Sequence, residues 1–355
     1  MPRGLDRRQQ ALEMRRRAEP RRQRLEQKRE MSVDERLQSA ISHLGQSKPE
    51  LALLAARKAQ AALNDNDPRK LQATRLEADA LLDMGRFGEA VPVFQRVVKY
   101  NRDDSEAWCY LAQASQGDEA VRCYGNAADA LGRVLNNAPQ ADRQRLQFEQ
   151  ARMLASQAEC YCVPPLCDQD DAPQRARSLL QEAANISPGN YEVLLQLASL
   201  CSLLAHVADS ANDEAQRDNL ISEGLAALNQ AVQAIVALDQ QNEEVEHSVL
   251  VRAAQECINY GAHEHAAALA SRVASADAQD LDALGVLVTA ELLRDNVVGA
   301  REAFLMLDEQ FPPEEKHKLD TLRQNVETAI SNAGGEEAVE RMALQQDAGM
   351  HDDED

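Results

Sequence analysis

The sequence predicts an all-α solenoid of about seven helix pairs closed by a capping helix. Three observations predict it. A comb of small and apolar residues recurs about once per helix pair: Ala266-x3-Ala270-x2-Val273 is followed 34 residues later by Ala300-x3-Phe304-x2-Leu307. Earlier copies start at Ala52, Ala90, Ala120, Ala176 and Ala227. Offsets of four and three put each comb on one helix face, and this period marks stacked helix-turn-helix units. Apolar residues make up 44% of the chain but aromatics only 3%, so burial rests on Ala, Leu and Val, which suits closely approaching helices. Turn residues also punctuate the periodic segments, at Asp67-Pro68, Gly85-Arg86-Phe87, Ser187-Pro188 and Phe311-Pro312-Pro313.

Residues 1–31, rich in Arg and Gln and interrupted by Pro2 and Pro20, are expected to be a basic, disordered tail. The solenoid is expected over 32–331. Its first pair runs over 33–46 and 49–64, with Ser32-Val33-Asp34-Glu35 as the opening cap. The second runs over 70–84 and 88–100, and Gly85 suits the turn because it tolerates positive φ. The third starts at Ser105, and its comb alanine Ala120 comes 30 residues after Ala90, so about one helical turn is missing around Ser115-Gln116-Gly117-Asp118. The fourth has a long first helix over 141–162, an insertion carrying Pro164, Pro165 and Pro173, and a second helix ending at Ile186. The fifth starts at Tyr191 and carries a polar insertion near 208–218. Pairs six and seven span 244–276 and 280–310, and a helix over 314–331 forms the cap. Gly334-Gly335 opens an acidic C-terminal segment, 332–355, expected to be disordered.

Charge narrows the function. Residues 1–30 hold 11 Arg/Lys against 5 Asp/Glu, whereas 31–332 hold 26 against 46, and the last 23 residues add a net −7. Such a body repels nucleic acid and attracts strongly basic proteins. No uninterrupted apolar run spans a bilayer and the N-terminus lacks the apolar core of a secretory signal, so no membrane role is expected. Seven cysteines without a regular framework fit a reducing compartment. Cys160, Cys162 and Cys167 with His206 match no familiar zinc spacing, and the offset of His263 and His265 splays their rings apart on a helix. No phosphate-cradling loop, nucleophile elbow or catalytic carboxylate pair is recognisable. The expectation is a binding protein that is not an enzyme, with no cofactor, no metal and no small-molecule substrate. Arg15-Arg16-Arg17 and Arg21-Arg22-x-Arg24 read either as an import signal or as part of a flexible tail, and any nucleic-acid contact is expected only there.

Ala78, Gly85, Ala90 and Phe94 in one repeat, and Leu287, Ala300, Phe304 and Pro312 in another, resemble tetratricopeptide repeats. The resemblance implies a right-handed superhelix in which Trp108, Ala120, Tyr124, Ala176, Leu197 and Ala266 also serve the repeat core. Three irregular stretches narrow it: the shortened Trp108-to-Ala120 repeat, Ala158-Glu159-Cys160-Tyr161 leading to Leu166-Cys167-Asp168, and Gln174 to Ala183, followed by Leu194 to Leu200. In that order they resemble the assembly-chaperone family of large-subunit ribosomal protein four. That family implies a monomer that binds the basic extended loop of its newly made ribosomal protein 1:1. It also implies work in cytoplasm and nucleus, as an escort to pre-ribosomes. The competing reading is a generic tetratricopeptide adaptor or scaffold, such as a heat-shock co-chaperone. The Lys-x3-Asn of a carboxylate clamp is absent, since Lys70 is followed by Thr74 and Lys99 by Asp103. First helices line the groove of such a solenoid, so the positions facing away from the comb are the expected partner contacts: Asp79, Asp83, Glu106, Gln113, Glu159, Glu192 and Asp282.

Overall fold

The computed structural model describes residues 31–241 and 245–349, all of whose regular structure is helical. The basic tail, with its two arginine clusters, lies outside the described residues, as do 350–355. The chain divides into two compact units, 1–114 and 115–355. The boundary falls at the shortened repeat, beside Ser115-Gln116-Gly117-Asp118.

The first unit holds α1 (Val33–Gly45), α2 (Pro49–Ala61), α3 (Arg69–Asp83), α4 (Phe87–Tyr100) and α5 (Ser105–Gln113). Ser32 opens α1 with a full capping box: its side chain accepts from the Glu35 amide, and the Glu35 carboxylate takes the Ser32 amide. The turn between α3 and α4 places Gly85 at φ +68, where a side chain would be strained. Along α2 and α4 the comb residues Ala52, Ala56, Ala59, Ala90, Phe94 and Val97 are all buried. Helices α1 and α3 touch directly, and α2 packs against both, so first helices form one layer and second helices the other.

The second unit repeats this scheme. Its helices are α6 (Asp118–Asn137), α7 (Gln140–Cys160), α8 (Ala172–Ile186), α9 (Tyr191–Ser210), α10 (Glu214–Gln240), α11 (His247–Asn259) and α12 (His263–Ala276). After them come α13 (Leu281–Leu293), α14 (Val297–Gln310), a 3-10 turn (Pro313–Leu319), α15 (Asp320–Asn332) and α16 (Glu336–Gly349). The first helices touch in succession, α7 to α9 to α11 to α13 to α15. Ala176, Leu197, Ala266, Ala300 and Phe304 are buried between the layers.

Several expectations change. The polar insertion near 208–218 is built as helix, with residues 209–219 lying outside the buried core. The helical period continues through buried Ala205 and Ala208 on one side and Leu220 and Gly224 on the other, lengthening both helices and leaving only 211–213 as the turn. The resulting α9 and α10 have 20 and 27 residues and are apolar enough in composition to cross a membrane, contrary to the reading of uninterrupted runs. Leu195, Leu220, Leu228 and Ile235 among their apolar residues are buried in the core of the longest hairpin, while Leu203 and Val207 stay exposed. The acidic segment after 332 is not wholly unstructured either: Gly334 and Gly335, at positive φ, turn the chain into α16. There Val339, 1% exposed, joins Phe304, Leu307, Val326 and Ile330, and Arg301 pairs with Glu336 at 2.9 Å. The expected capping helix is thus the first member of an eighth helix pair. Trp108 and Tyr124, assigned to the core, are half-buried, the Trp108 indole donating to the Arg102 carbonyl at 3.1 Å. Pro312 is exposed, since a terminator acts through its backbone.

Candidate functional site

Asp79, Asp83, Glu106 and Gln113 stand on first helices of the first unit; Glu159, Glu192 and Asp282 stand on first helices of the second. Six of them fall into two physical classes, while Asp79 lies half-buried inside α3. Glu106, Glu192 and Asp282 each follow by two positions a capping side chain, Asp104, Asn190 or Asp280, that accepts from a backbone amide of the first turn. A carboxylate in that turn also faces the positive end of the helix dipole. These three therefore mark the N-terminal edge of the first-helix layer. Asp83, Glu159 and Gln113 lie at or near the opposite ends of their helices, and all three are exposed.

In the first unit the structure brings Asp79 and Glu106 together around a cation that sequence reasoning missed. Arg75 reaches Asp79 at 3.0 Å and Asp104 at 2.6 Å, and also pairs with Glu106. The guanidinium lies 5.8 Å from the Phe94 ring centroid, and Phe94 stacks on exposed Tyr110 at 4.9 Å. Burial works against the Arg75 charge, but Asp79, Asp104 and Glu106 outweigh it and hold the group protonated. Burial raises the Asp79 pKa above the usual carboxylate value, and Arg75 pulls it back only in part. Two carboxylates beyond neutrality remain in this cluster, yet Asp79 and Glu106 already have a cation. Gln113 turns to its own helix, donating to Cys109 Sγ at 3.7 Å.

In the second unit Glu159 accepts from the Gln196 amide on the neighbouring first helix at 2.7 Å. Glu192 has no ion pair among the described residues and lies near Tyr191 together with Glu246 at the start of α11. Burial pushes the Tyr191 pKa up and those two carboxylates add to it. Glu246 was also missed, because it opens its helix without a recognisable capping pattern. Asp282 is exposed in the first turn of α13 and makes no ion pair among the described residues. Cys160 and Cys162 face backbone carbonyls of α7, those of Ser156 and Ala158, and Cys167 faces Asp168. Burial raises the Cys160 and Cys162 pKa values, which makes them poor thiolate ligands. No disulfide forms among the described residues.

No protein-family model and no curated protein matches the chain. Solved structures do. The assembly chaperone of RpL4 (Acl4, residues 1–338) is 20% identical with a TM-score of 0.59, over 77% of this chain and 99% of that one. The C-terminal part of a TPR repeat-containing protein from Cytophaga hutchinsonii is 13% identical, TM-score 0.44, over 75% and 91%. PilF of Pseudomonas aeruginosa is 13% identical, TM-score 0.41, over 71% and 94%. The likeness to Acl4 together with the two-layer helix packing identifies the fold as an all-α tetratricopeptide-repeat fold.

Proposed function

We propose that this protein is a dedicated chaperone that binds the basic extended loop of newly made large-subunit ribosomal protein four, working in cytoplasm and nucleus and escorting its cargo to pre-ribosomes. The observation that carries the reading is the surplus of carboxylate along the first helices. Asp79, Asp83, Asp104 and Glu106 in one unit and Glu159, Glu192, Glu246 and Asp282 in the other stand on a body that is strongly acidic from 31 to 332. The fold likeness to the assembly chaperone of RpL4 supports the same partner. Ribosomal proteins carry Arg/Lys-rich extensions that bind stray nucleic acid by counterion release until they are shielded. Exposed ion pairs contribute only about 0–1 kcal/mol each, so capture takes many of them together with apolar anchoring. RNA, with denser charge, displaces such a holder at the point of assembly. The role needs no catalysis, cofactor or metal.

The test is to co-express the chain with ribosomal protein four. The expected result is a soluble 1:1 complex that loosens as salt rises. No complex, or equal binding to every basic ribosomal protein, overturns the assignment and leaves a generic adaptor. Reversing Asp79, Asp83 and Glu192 together to Lys should weaken capture about tenfold or more at low salt, with helicity by circular dichroism unchanged. Unchanged affinity would remove these residues from the binding face.

A further inference from the structure

The first-helix layer of the second unit contains a cavity of about 440 Å³ between α7, α9 and α11. Its floor is apolar, with Ala158 from α7 and Leu200 and Leu203 from α9. Leu203 is 61% exposed, and one turn further Val207 is 59% exposed, so the apolar strip continues along α9 beyond the cavity. Its rim is polar: Glu159, Gln196, Ser199 and Arg252. Gln196 spends its amide N–H on Glu159, while its Oε1 is buried without a hydrogen-bond partner among the described residues. An orphaned acceptor beside an apolar cavity is costly unless something supplies a donor.

We infer that this cavity is the apolar anchor subsite of the same binding face, taking an uncharged aliphatic side chain from within the basic segment of the captured ribosomal protein. The inference rests on the chaperone reading above. Three observations decide the occupant. The acidic body draws a basic chain, yet the rim of this cavity holds one carboxylate and one guanidinium, so charge is balanced here and the floor selects an apolar residue. The rim also offers both acceptors and donors, as an extended peptide backbone requires on either side of a seated side chain. The terminal torsion of Gln196 is soft, so its Oε1 turns to meet a backbone N–H laid across the mouth. Basic residues flanking the anchor then have Glu159 on the rim and Glu192 one helical turn before Gln196 on α9. The chemistry fits an aliphatic residue bracketed by Lys or Arg.

The experiment measures binding of recombinant ribosomal protein four to the full chain at about 0.1 M and 0.5 M NaCl, a range over which surface ion pairs are progressively screened. Ser199→Trp closes the cavity from an exposed position, and Leu203→Ser strips its floor at an exposed residue where folding is not at stake. Each should weaken binding about tenfold or more, by a similar factor at both salts, because burial of an aliphatic side chain is not screened. The Asp79, Asp83, Glu192 reversal should lose its effect at the higher salt. Cys162 also lines the cavity, so its alkylation by iodoacetamide, followed by mass spectrometry, should slow when the partner is bound. If the wild type binds but both variants bind equally well and Cys162 reacts at its free rate, the subsite is wrong and the chaperone reading stands. If the wild type does not bind at either salt, both fall together. A free protein that dimerises, and becomes monomeric with Ser199→Trp, would make a second copy the occupant and overturn the inference.

Discussion

Glu77 and Asp79 lie two positions apart on α3, and their environments separate structure from function. Glu77 is 5% exposed and accepts from Arg57 at 2.8 Å, Gln60 at 2.8 Å and Arg96 at 2.9 Å, tying α2 and α4 to α3. Burial alone would raise its pKa, but the Arg57 and Gln60 hydrogen bonds and the two guanidinium charges outweigh burial and hold it below the usual value. A depressed folded-state pKa stabilises above the ordinary glutamate value of about 4.3, and that stabilisation disappears as pH falls through the folded value. Glu77→Gln should therefore cost about 1–3 kcal/mol at neutral pH, the range for a buried, charge-assisted hydrogen bond. The cost should shrink toward zero well below the glutamate range. Urea unfolding at both pH values checks this, and an equal cost at both would mean that the carboxylate charge is not what matters. Partner affinity should be untouched, since Glu77 is buried. Asp79, half-buried against Arg75, is the residue on the same helix whose change should register in binding.

At the scale of elements, the α9–α10 hairpin depends on one glycine. Gly224 lies against Tyr260, whose hydroxyl donates to the Ala198 carbonyl at 2.7 Å and so ties the end of α11 to the middle of α9. A Cβ at 224 would stand 1.7 Å from that hydroxyl and 2.9 Å from Cys201 Cβ, so the ring must leave. Gly224→Ala gains helix propensity of about 1 kcal/mol yet should destabilise by a net of roughly 2 kcal/mol or more, because overpacking and the orphaned carbonyl outweigh it. Urea unfolding gives the size, and hydrogen exchange should rise in α9–α11 while α1–α4 stay protected; a neutral or stabilising result would place Tyr260 elsewhere. This contact also shows what a sequence reveals and what it hides. The comb and its lapses are local patterns at helical spacing, so the regular pairs and the missing turn before Ala120 were readable. Gly224 meeting Tyr260, Gln196 meeting Glu159 and Arg75 meeting Glu106 depend on the register between stacked helices, which no local period encodes. In α16 four acidic residues, followed by the acidic run 352–355, mask a short apolar stripe anchored by Val339, so the helix reads as a tail. In the α9–α10 hairpin the polar residues at 209–218 extend both helices past the buried apolar face, which ends at Ala208 and resumes at Leu220.

For the molecule as a whole, charge acts in opposite directions on folding and on binding. With a formal net charge of −21 over 355 residues, the free chain repels itself, and the first turns of α5, α9 and α13 each carry a carboxylate. Salt screens that repulsion over about 8–10 Å at physiological strength. The same screening removes little from the exposed ion pairs, which contribute about 0–1 kcal/mol each. Raising NaCl from 50 to 500 mM should therefore raise the melting temperature of the free protein by a few degrees while it weakens the complex with a basic partner by an order of magnitude or more. Binding should itself substitute for salt: a cationic segment seated on the first helices neutralises the repelling carboxylates, so the complex should melt higher than the free chain at low salt, with the gap narrowing as salt rises. Differential scanning calorimetry of both forms across the series tests the argument. A free protein whose melting temperature falls with salt would mean that its ion pairs, among them Arg75 with Asp104 and Glu77 with Arg96, outweigh the net repulsion. The acidic surface would then serve its own folding and not the capture of a basic chain.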